Sequence, residues 1–433
     1  MTVKTPKVYA EEWDNLPWRK FQANLDRLQH RIYKAAKNND KDLIKRLQRL
    51  LMGSKCSKYL AVKQVTQLST GRDTTGIDGI KSLDPKMRIE LVDNLLTTEN
   101  WKPEKLKKVY IPKSNGMKNS CSIPIIHDRV IQCLLKYALE PVYEAIASPG
   151  SIGFRTGYSA WNAQKCIFQN LRFISKNNLK NILELGIEKC FDKMNHEKLL
   201  SLVTLPPCGI RVLRSALKAG IFLELRNMEV GTAKEGVISP LLANIALHGI
   251  EDLHNKKMSG PKYQRGYRYD DNIIYFLKEG ECSVELLNTI RKFLEERGLS
   301  LKTEKTRLVT ATQGFDFLDW HFKVKSQTNT FVSFPSKENR QNLIKRIKST
   351  VKDTRFSLEN RISKIKTIFR DWNNYHQYCD KNQVNMWYIN KWTHWYLRKV
   401  SSYNSKKVTE IIREIFTGYK INANDFTSRL KRK

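Results

Sequence analysis

The periodicity of apolar residues changes character near residue 323, and that change limits the folds open to the chain. A polar stretch, DTTGIDG (73–79), reads as a loop. From there to Phe322, short strand-like runs alternate with helical ones. KKVYIPK (107–113), NILELGI (181–187) and the pair around RYDDNIIYF (268–276) are examples. Mixed short strands and helices predict an α+β body. KVKSQTNTFVSFP (323–335) reads as a β-hairpin or a linker. Beyond it the pattern is helical, with Ile362, Ile365, Ile368, Trp372 and Tyr375 at helical spacing. The first 60 residues predict two helices, one striped by Leu25, Leu28, Ile32 and Ala35, the next by Leu43, Leu47, Leu50 and Leu51.

At 433 residues the chain exceeds one ordinary domain, and its 40% hydrophobic residues suffice for two or three packed cores. Charge narrows the partner. Lys and Arg number 77 against 43 Asp and Glu, a net +34, and polyphosphate backbones are the usual neutralising partner of so cationic a surface. Residues 323–433 carry 25 Lys and Arg against 8 Asp and Glu, with four of the nine tryptophans (Trp372, Trp387, Trp392, Trp395). Cationic helices interleaved with aromatics combine phosphate attraction with flat faces for stacking or packing. Most of these rings are expected in helical cores, since large rings are usually buried. No apolar run of about 18 residues predicts a membrane span. The opening MTVKTPKVYAEEWDNLPW lacks an apolar signal core and carries acids early, unlike a secretory or transit leader. The eight cysteines are scattered without a Cys-x-x-Cys pair, as expected of reduced thiols rather than disulfides or a zinc site.

An ordered set of segments resembles the group II intron-encoded reverse transcriptase/maturase family over roughly residues 10–420. WDNLPWRKFQANLDRLQHRIYKA (13–35) looks like its N-terminal extension; GIDGI (76–80) and WKPEKLKKVYIPKSNGMKNSCSIPIIHDRVIQ (101–132) look like its fingers. SIGFRTGYSAWNA (151–163), GIEKCFDKMNH (186–196), GTAKEGVISPLLANIALH (231–248) and YRYDDNIIYF (267–276) resemble the palm blocks in order. GFDFLDWHF (314–322) resembles the block entering the thumb, and KTIFRDWNNYH (366–376) the maturase domain. The resemblance implies a right-hand fold: a helical N-terminal extension (1–75), fingers and ferredoxin-like palm (76–322), and an all-α thumb and maturase domain (323–433).

Nucleotidyl transfer in that family uses two Mg²⁺ ions. Hard cations of this kind need carboxylate oxygens in near-octahedral geometry at about 2.0–2.1 Å. The family supplies one Asp from a strand and two from an Asp-Asp turn. Here the turn persists as Asp270-Asp271, while the position of the strand Asp is Gly186. Glu184 and Glu188 share its strand face but stand two residues away, roughly 6–7 Å at about 3.3 Å per residue, too far for one extra methylene to bridge. Three further departures converge on the same pocket. Asn119, Ser120 and Cys121 replace the Arg-Pro-Leu of the fingers motif; Thr232-Ala233-Lys234-Glu235 replaces Thr-Pro-Gln-Gly; and Arg268-Tyr269 precede the Asp pair in place of Tyr-Ala. The scaffold residues Phe154-Arg155, Phe191-Asp192 and an N-cap Ser239 followed by Pro240 are retained.

The chain is therefore expected to be a maturase that helps an intron fold and splice, not an enzyme. Its metal ligands are reduced to a weak or vestigial pair, Asp270 and Asp271, held by nearby Lys and Arg. No cofactor is expected to be required, Mg²⁺ entering only with bound RNA or at that pair. RNA contacts are expected from Arg19, Lys20, Arg27, Arg31 and Lys34 in the N-terminal helices, from Arg155, and from Lys364, Lys366, Arg370, Asn373, Asn374, Tyr375 and His376. The expected partner is structured intron RNA and not a membrane, with a homodimer or accessory splicing proteins compatible with it. The Lys- and Asn-rich composition points to an organelle such as the plastid, with a bacterial cytoplasm as the alternative. The short tail ending in TSRLKRK predicts no endonuclease appendage. An active polymerase with an unusual ligand set and a general RNA-binding or ribosome-associated scaffold are the alternative functions.

Overall fold

A computed structural model describes residues 5–69, 71–95, 101–112, 118–172, 179–188, 190, 193–219, 237–254, 264–328, 330–380 and 387–416. The chain divides into two compact units: Met1–Ala163, Leu185–Tyr275 and Cys282–Arg307 in the first; Gln164–Glu184, Phe276–Glu281 and Leu308–Lys433 in the second.

The first unit opens with four helices, α1 (Pro6–Asp14), α2 (Trp18–Lys37), α3 (Lys41–Gly53) and α4 (Lys55–Lys63), where periodicity alone predicts two. The breaks are made by backbone. Asn39 takes a left-handed φ of 55°, Asp40 then caps α3 by accepting from the Leu43 N–H at 3.0 Å, and Ser54 is extended between α3 and α4. The α2 stripe Leu25, Leu28, Ile32 and Ala35 is buried as its spacing predicts. In α3 the buried face is Ile44, Leu47, Gln48 and Leu51, whereas Leu50 is 55% exposed. A polar residue thus sits on the core face. Gln48 donates both amide hydrogens inward, to the carbonyls of Ala138 and Thr204, at 3.0 and 2.8 Å.

These helices pack on one another and on α6 (Ile126–Ile146), which follows α5 (Pro85–Asn94) and a hairpin of β1 (Lys107–Pro112) with β2 (Lys118–Ile123). Asn119, Ser120 and Cys121 lie on β2, opposite Ile111, Tyr110 and Val109.

The palm sheet comprises β3 (Leu179–Glu188), β4 (Gly266–Tyr269), β5 (Asn272–Lys278), β6 (Ser300–Leu301) and β7 (Arg307–Thr310), in the order β4-β5-β3-β6 with β7 also on β3. Ile273 through Leu277 are all buried, as a strand covered on both faces requires. Helices α7 (Ala160–Arg172), α8 (His196–Leu202), α9 (Pro207–Lys218), α10 (Ser239–Ala246) and α11 (Ser283–Glu295) fall between the strands in sequence. Ser239 is not the cap of α10: the carbonyl of Ile238 accepts the first helical bond from Leu242, and Ser239 lies buried inside the first turn.

In the second unit, β8 (Phe315–Phe317), β9 (Trp320–Lys325) and β10 (Thr330–Pro335) form an antiparallel sheet, so the 323–335 segment lies within the β9–β10 hairpin. Among the described residues four helices follow: α12 (Lys337–Lys352), α13 (Leu358–Tyr375), α14 (Trp387–Val400) and α15 (Ser405–Ile415). Ser336, Ser357 and Asn404 cap α12, α13 and α15 through their side-chain oxygens. The core-facing edge of α13 is Ile362, Ile365, Phe369 and Trp372, packed with Leu343, Ile347 and Ile412; Ile368 only flanks it. Each such side chain withdrawn from water contributes roughly 1.5–3 kcal/mol before ordering costs. Among the described residues no helix is long and apolar enough to cross a membrane.

Candidate functional site

Strands β4 and β5 pair with Tyr269 opposite Asn272, which leaves Asp270 and Asp271 as the turn between them. Asp270 has a φ of 57°, a left-handed conformation that Asp tolerates better than bulkier residues. The turn is braced from one side by residues 150–153. The Arg268 N–H donates to the Gly150 carbonyl at 2.8 Å, and the Ile152 N–H to the Arg268 carbonyl at 2.9 Å. A Cβ at Gly153 would stand 2.6 Å from the Asp270 nitrogen, so only glycine permits this approach.

Beneath the turn lies a polar network that the sequence reading missed. Arg268, wholly buried, donates from Nε to Glu251 at 2.6 Å, from Nη1 to Asn244 at 2.7 Å and from Nη2 to Ser151 Oγ at 2.7 Å. Asn244 in turn donates to the Gly153 carbonyl at 2.8 Å. Burial alone would push the Arg268 guanidinium down, but Glu251 and Tyr143 outweigh it and hold its pKa above the ordinary value. The signal was present as an Arg within an apolar strand, which demands a buried counter-charge; which acid answers it depends on the tertiary fold.

Gly186 lies beside this turn. The Ile187 N–H donates to the Asp271 carbonyl at 3.0 Å, and the Gly186 carbonyl accepts from the Lys302 N–H at 2.7 Å. A Cβ placed on Gly186 would stand 2.9 Å from Cδ and 3.1 Å from Cβ of Lys305, and 3.6 Å from Cδ of Lys302. Lys302 Nζ lies 3.7 Å from Asp271 Oδ2, and Lys305 Nζ donates to Asn272 Oδ1 at 3.2 Å. The two neighbouring acids of β3 are engaged elsewhere. Glu184 accepts from the Asp316 N–H at 3.1 Å, and Glu188 accepts from Lys193 Nζ at 2.9 Å and Ser300 Oγ at 3.1 Å. Reverse transcriptase domains generally use Mg²⁺, and this donor set does not fit the ion: among the described residues no third carboxylate joins the Asp pair, and lysine side chains crowd the position at Gly186. Among the described residues no group of three His, Cys, Asp or Glu side chains comes together as a metal-binding set. Thr232-Ala233-Lys234-Glu235, Phe191-Asp192 and the terminal TSRLKRK lie outside the described residues.

The cationic residues sort differently. On α2, Arg19, Lys20, Arg27, Arg31 and Lys34 are all exposed. Lys20, Arg27, Arg31 and Lys34 follow one another at intervals near whole helical turns, forming one exposed stripe about a third of a turn round the helix from the buried Leu25, Leu28, Ile32 and Ala35. In α13, Lys364, Lys366, Arg370 and Asn374 are exposed and Asn373 is half-buried. Lys366 pairs with Glu414 at 2.6 Å, and Lys364 sits over the Phe356 ring.

Three of the residues expected to contact RNA have their side chains engaged within the protein. His376 is wholly buried, its Nε2 3.0 Å from Asn339 Oδ1, which also accepts from Trp372 Nε1 at 2.6 Å. It is a core histidine. Tyr375 stacks on Trp320, with ring centroids 4.7 Å apart and planes 3° from parallel, and donates to the Leu318 carbonyl at 3.0 Å; one face of its ring is thereby occupied. Arg155 has a side chain only 7% exposed, spent on Glu144 and the carbonyls of Ser148 and Ser151. It braces the palm loop instead of facing solvent.

Three families match along the chain. Residues 13–95 match the N-terminal domain of reverse transcriptase, residues 111–322 the reverse transcriptase (RNA-dependent DNA polymerase), and residues 340–416 the group II intron maturase-specific domain. Maturase-like protein 1 of Euglena gracilis is 32% identical, covering 85% of this chain and 78% of that protein. The protein of the same name from Euglena longa is also 32% identical, covering 86% and 79%. Group II intron-encoded protein LtrA of Lactococcus lactis subsp. cremoris is 28% identical over 59% of this chain and 45% of that one. With a reverse transcriptase fold followed by a maturase domain, the chain belongs to the group II intron reverse transcriptase/maturase family.

Proposed function

We propose that this chain acts as a splicing cofactor: it binds structured group II intron RNA and stabilises the splicing-competent fold, while the RNA performs the chemistry. The observation that carries this reading is the exposed stripe Lys20, Arg27, Arg31 and Lys34, a row of cations along α2 with its apolar face committed to the core. Such a row neutralises phosphates that repel one another as helices of RNA close up. Lys364, Lys366, Arg370, Asn373 and Asn374 form the second contact region. The palm serves as scaffold and not as a polymerase, because the position of one metal-binding Asp is Gly186 and Lys305 packs against it. In this reading the protein requires no metal of its own, Mg²⁺ arriving with the RNA. A homodimer or accessory proteins completing the splicing machinery are part of the proposal. So is an organellar setting, the plastid first, in line with the Euglena relatives.

The test uses the full chain with group II intron RNAs transcribed from the genome that encodes it, beside a duplex and an unstructured RNA of matched length. Preferential binding to an intron, with splicing at Mg²⁺ too low for the RNA alone, is the expected result. Equal binding to all three RNAs would favour a general RNA-binding scaffold. Robust primer extension abolished by Asp270→Asn would establish a working polymerase instead.

A further inference from the structure

We propose that Lys302 and Lys305 replace the metal of the palm: they supply a built-in cation for the Asp270-Asp271 turn and close the space from which a third carboxylate would act. The inference rests on reading the palm as scaffold, and it adds how that scaffold keeps an acidic turn folded without a divalent ion. Asp271 has a side chain only 10% exposed, and Asp270 precedes it in the same turn. A carboxylate so withdrawn from water, with the half-buried Asp270 beside it, requires a neighbouring positive charge. Lys302 brings its ammonium to 3.7 Å from Asp271 Oδ2, and Lys305 brings a second to the next residue, Asn272, at 3.2 Å. Both belong to the segment after β6, which is tied to β3 through the Lys302 N–H on the Gly186 carbonyl. The cations are therefore positioned by the same strand that lacks the Asp.

Closure is steric as well as electrostatic. The side-chain space at Gly186 is blocked by Cδ of Lys305 at 2.9 Å and by its Cβ at 3.1 Å. A Cδ can swing away, but a Cβ moves only with its backbone. Gly186→Asp alone is then strained, and its carboxylate meets ammonium groups where a metal would stand. The Gly and the two Lys act as one exchange of internal cation for external cation, which Gly186→Asp alone does not undo.

The experiment measures the thermal unfolding midpoint of the full-length protein, without RNA, in EDTA and in millimolar Mn²⁺. The variants are wild type, Lys302→Met, Asp271→Asn and the triple Gly186→Asp/Lys302→Ser/Lys305→Ala. Wild type is expected to unfold at the same temperature in both buffers. Lys302→Met should fall by several degrees in EDTA and recover in Mn²⁺, because a ligand that binds only the folded state raises the midpoint. The triple variant should show the largest Mn²⁺-dependent rise. If Lys302→Met fails to fold, the contrast between wild type and Asp271→Asn still decides. A Mn²⁺-dependent rise in wild type that disappears in Asp271→Asn overturns the proposal, as does a folded Lys302→Met with no Mn²⁺ response. Primer extension separates the two readings. A wild type that makes cDNA defeats the scaffold reading, whereas a wild type that makes none yet is stabilised by Mn²⁺ through Asp271 defeats only the lysine replacement.

Discussion

Arg268 and Glu251 meet at 2.6 Å with neither side chain reaching solvent. A pair this deep is weak evidence for added stability, but removing one partner strands the other charge in a low-dielectric interior. Glu251→Ala is expected to cost about 3–5 kcal/mol, seen as a lower urea midpoint in equilibrium unfolding. Replacing both at once by Arg268→Met and Glu251→Leu should recover much of that loss, since no charge then remains buried. A double variant as unstable as Glu251→Ala would show that the network's hydrogen bonds to Asn244 and Ser151 matter more than the charge.

The Tyr375–Trp320 stack separates a structural role from RNA contact. Tyr375→Phe keeps the ring and loses only the bond to the Leu318 carbonyl, so about 1 kcal/mol should disappear with RNA affinity unchanged. Tyr375→Ala should cost about 2–4 kcal/mol, with RNA binding reduced only as far as the folded fraction falls. Chemical denaturation and filter binding on the same preparations check both. A Phe variant of full stability that binds RNA tenfold more weakly would return Tyr375 to the contact surface.

What the sequence revealed depended on the range of the interaction. Period alone identifies the buried face of α2, because Leu25, Leu28, Ile32 and Ala35 face one way whatever they pack against. The same reasoning fails at α3, where Leu50 is exposed and Gln48 is buried: the carbonyls that accept from the Gln48 amide come from residues 138 and 204. Division of the N-terminal region into four helices is carried by Pro17 ahead of α2, one left-handed Asn39 and one extended Ser54, which leave the apolar count undisturbed. At the palm, the missing Asp was legible from the order of motifs. That Lys302 and Lys305 fill its surroundings was not, since they lie more than a hundred residues further along the chain. His376 and Arg155 are expected among the RNA contacts because sequence alone does not distinguish a buried donor from an exposed one.

Cysteine reactivity gives a pH-dependent check on the first unit. Burial pushes the Cys133 thiol up to about 11 from an ordinary value of 9.0, whereas Cys282 is exposed. At pH 8 only about one part in a thousand of Cys133 is thiolate, the reactive form. Iodoacetamide should therefore label Cys282 in the native protein and spare Cys133 until denaturant is added, as peptide mass spectrometry would report. The sign for stability follows. Because the folded state holds this proton more tightly, the contribution is intact below about 9 and is lost as pH rises toward about 11. Labelling of Cys133 at the rate of Cys282 at pH 8 would mean that α6 opens readily.

The α2 stripe predicts a salt dependence as well as an affinity. A protein that neutralises phosphates releases the counterions condensed on them, so the logarithm of its binding constant falls linearly with the logarithm of salt concentration. Each contact contributes about 0.7–0.9 to that slope. Replacing Lys20, Arg27, Arg31 and Lys34 together by Gln removes four charges that point away from the core, so the thermal midpoint should hold while RNA binding weakens. If all four touch phosphate, the slope should become shallower by roughly 3. Replacing Arg155 by Gln should leave the slope unchanged and lower the midpoint, because its guanidinium is engaged by Glu144. Binding titrations of one intron RNA across a series of KCl concentrations measure both quantities. A quadruple variant with wild-type slope would place the RNA elsewhere on the chain, and the helices after residue 337 would then carry the cationic contacts alone.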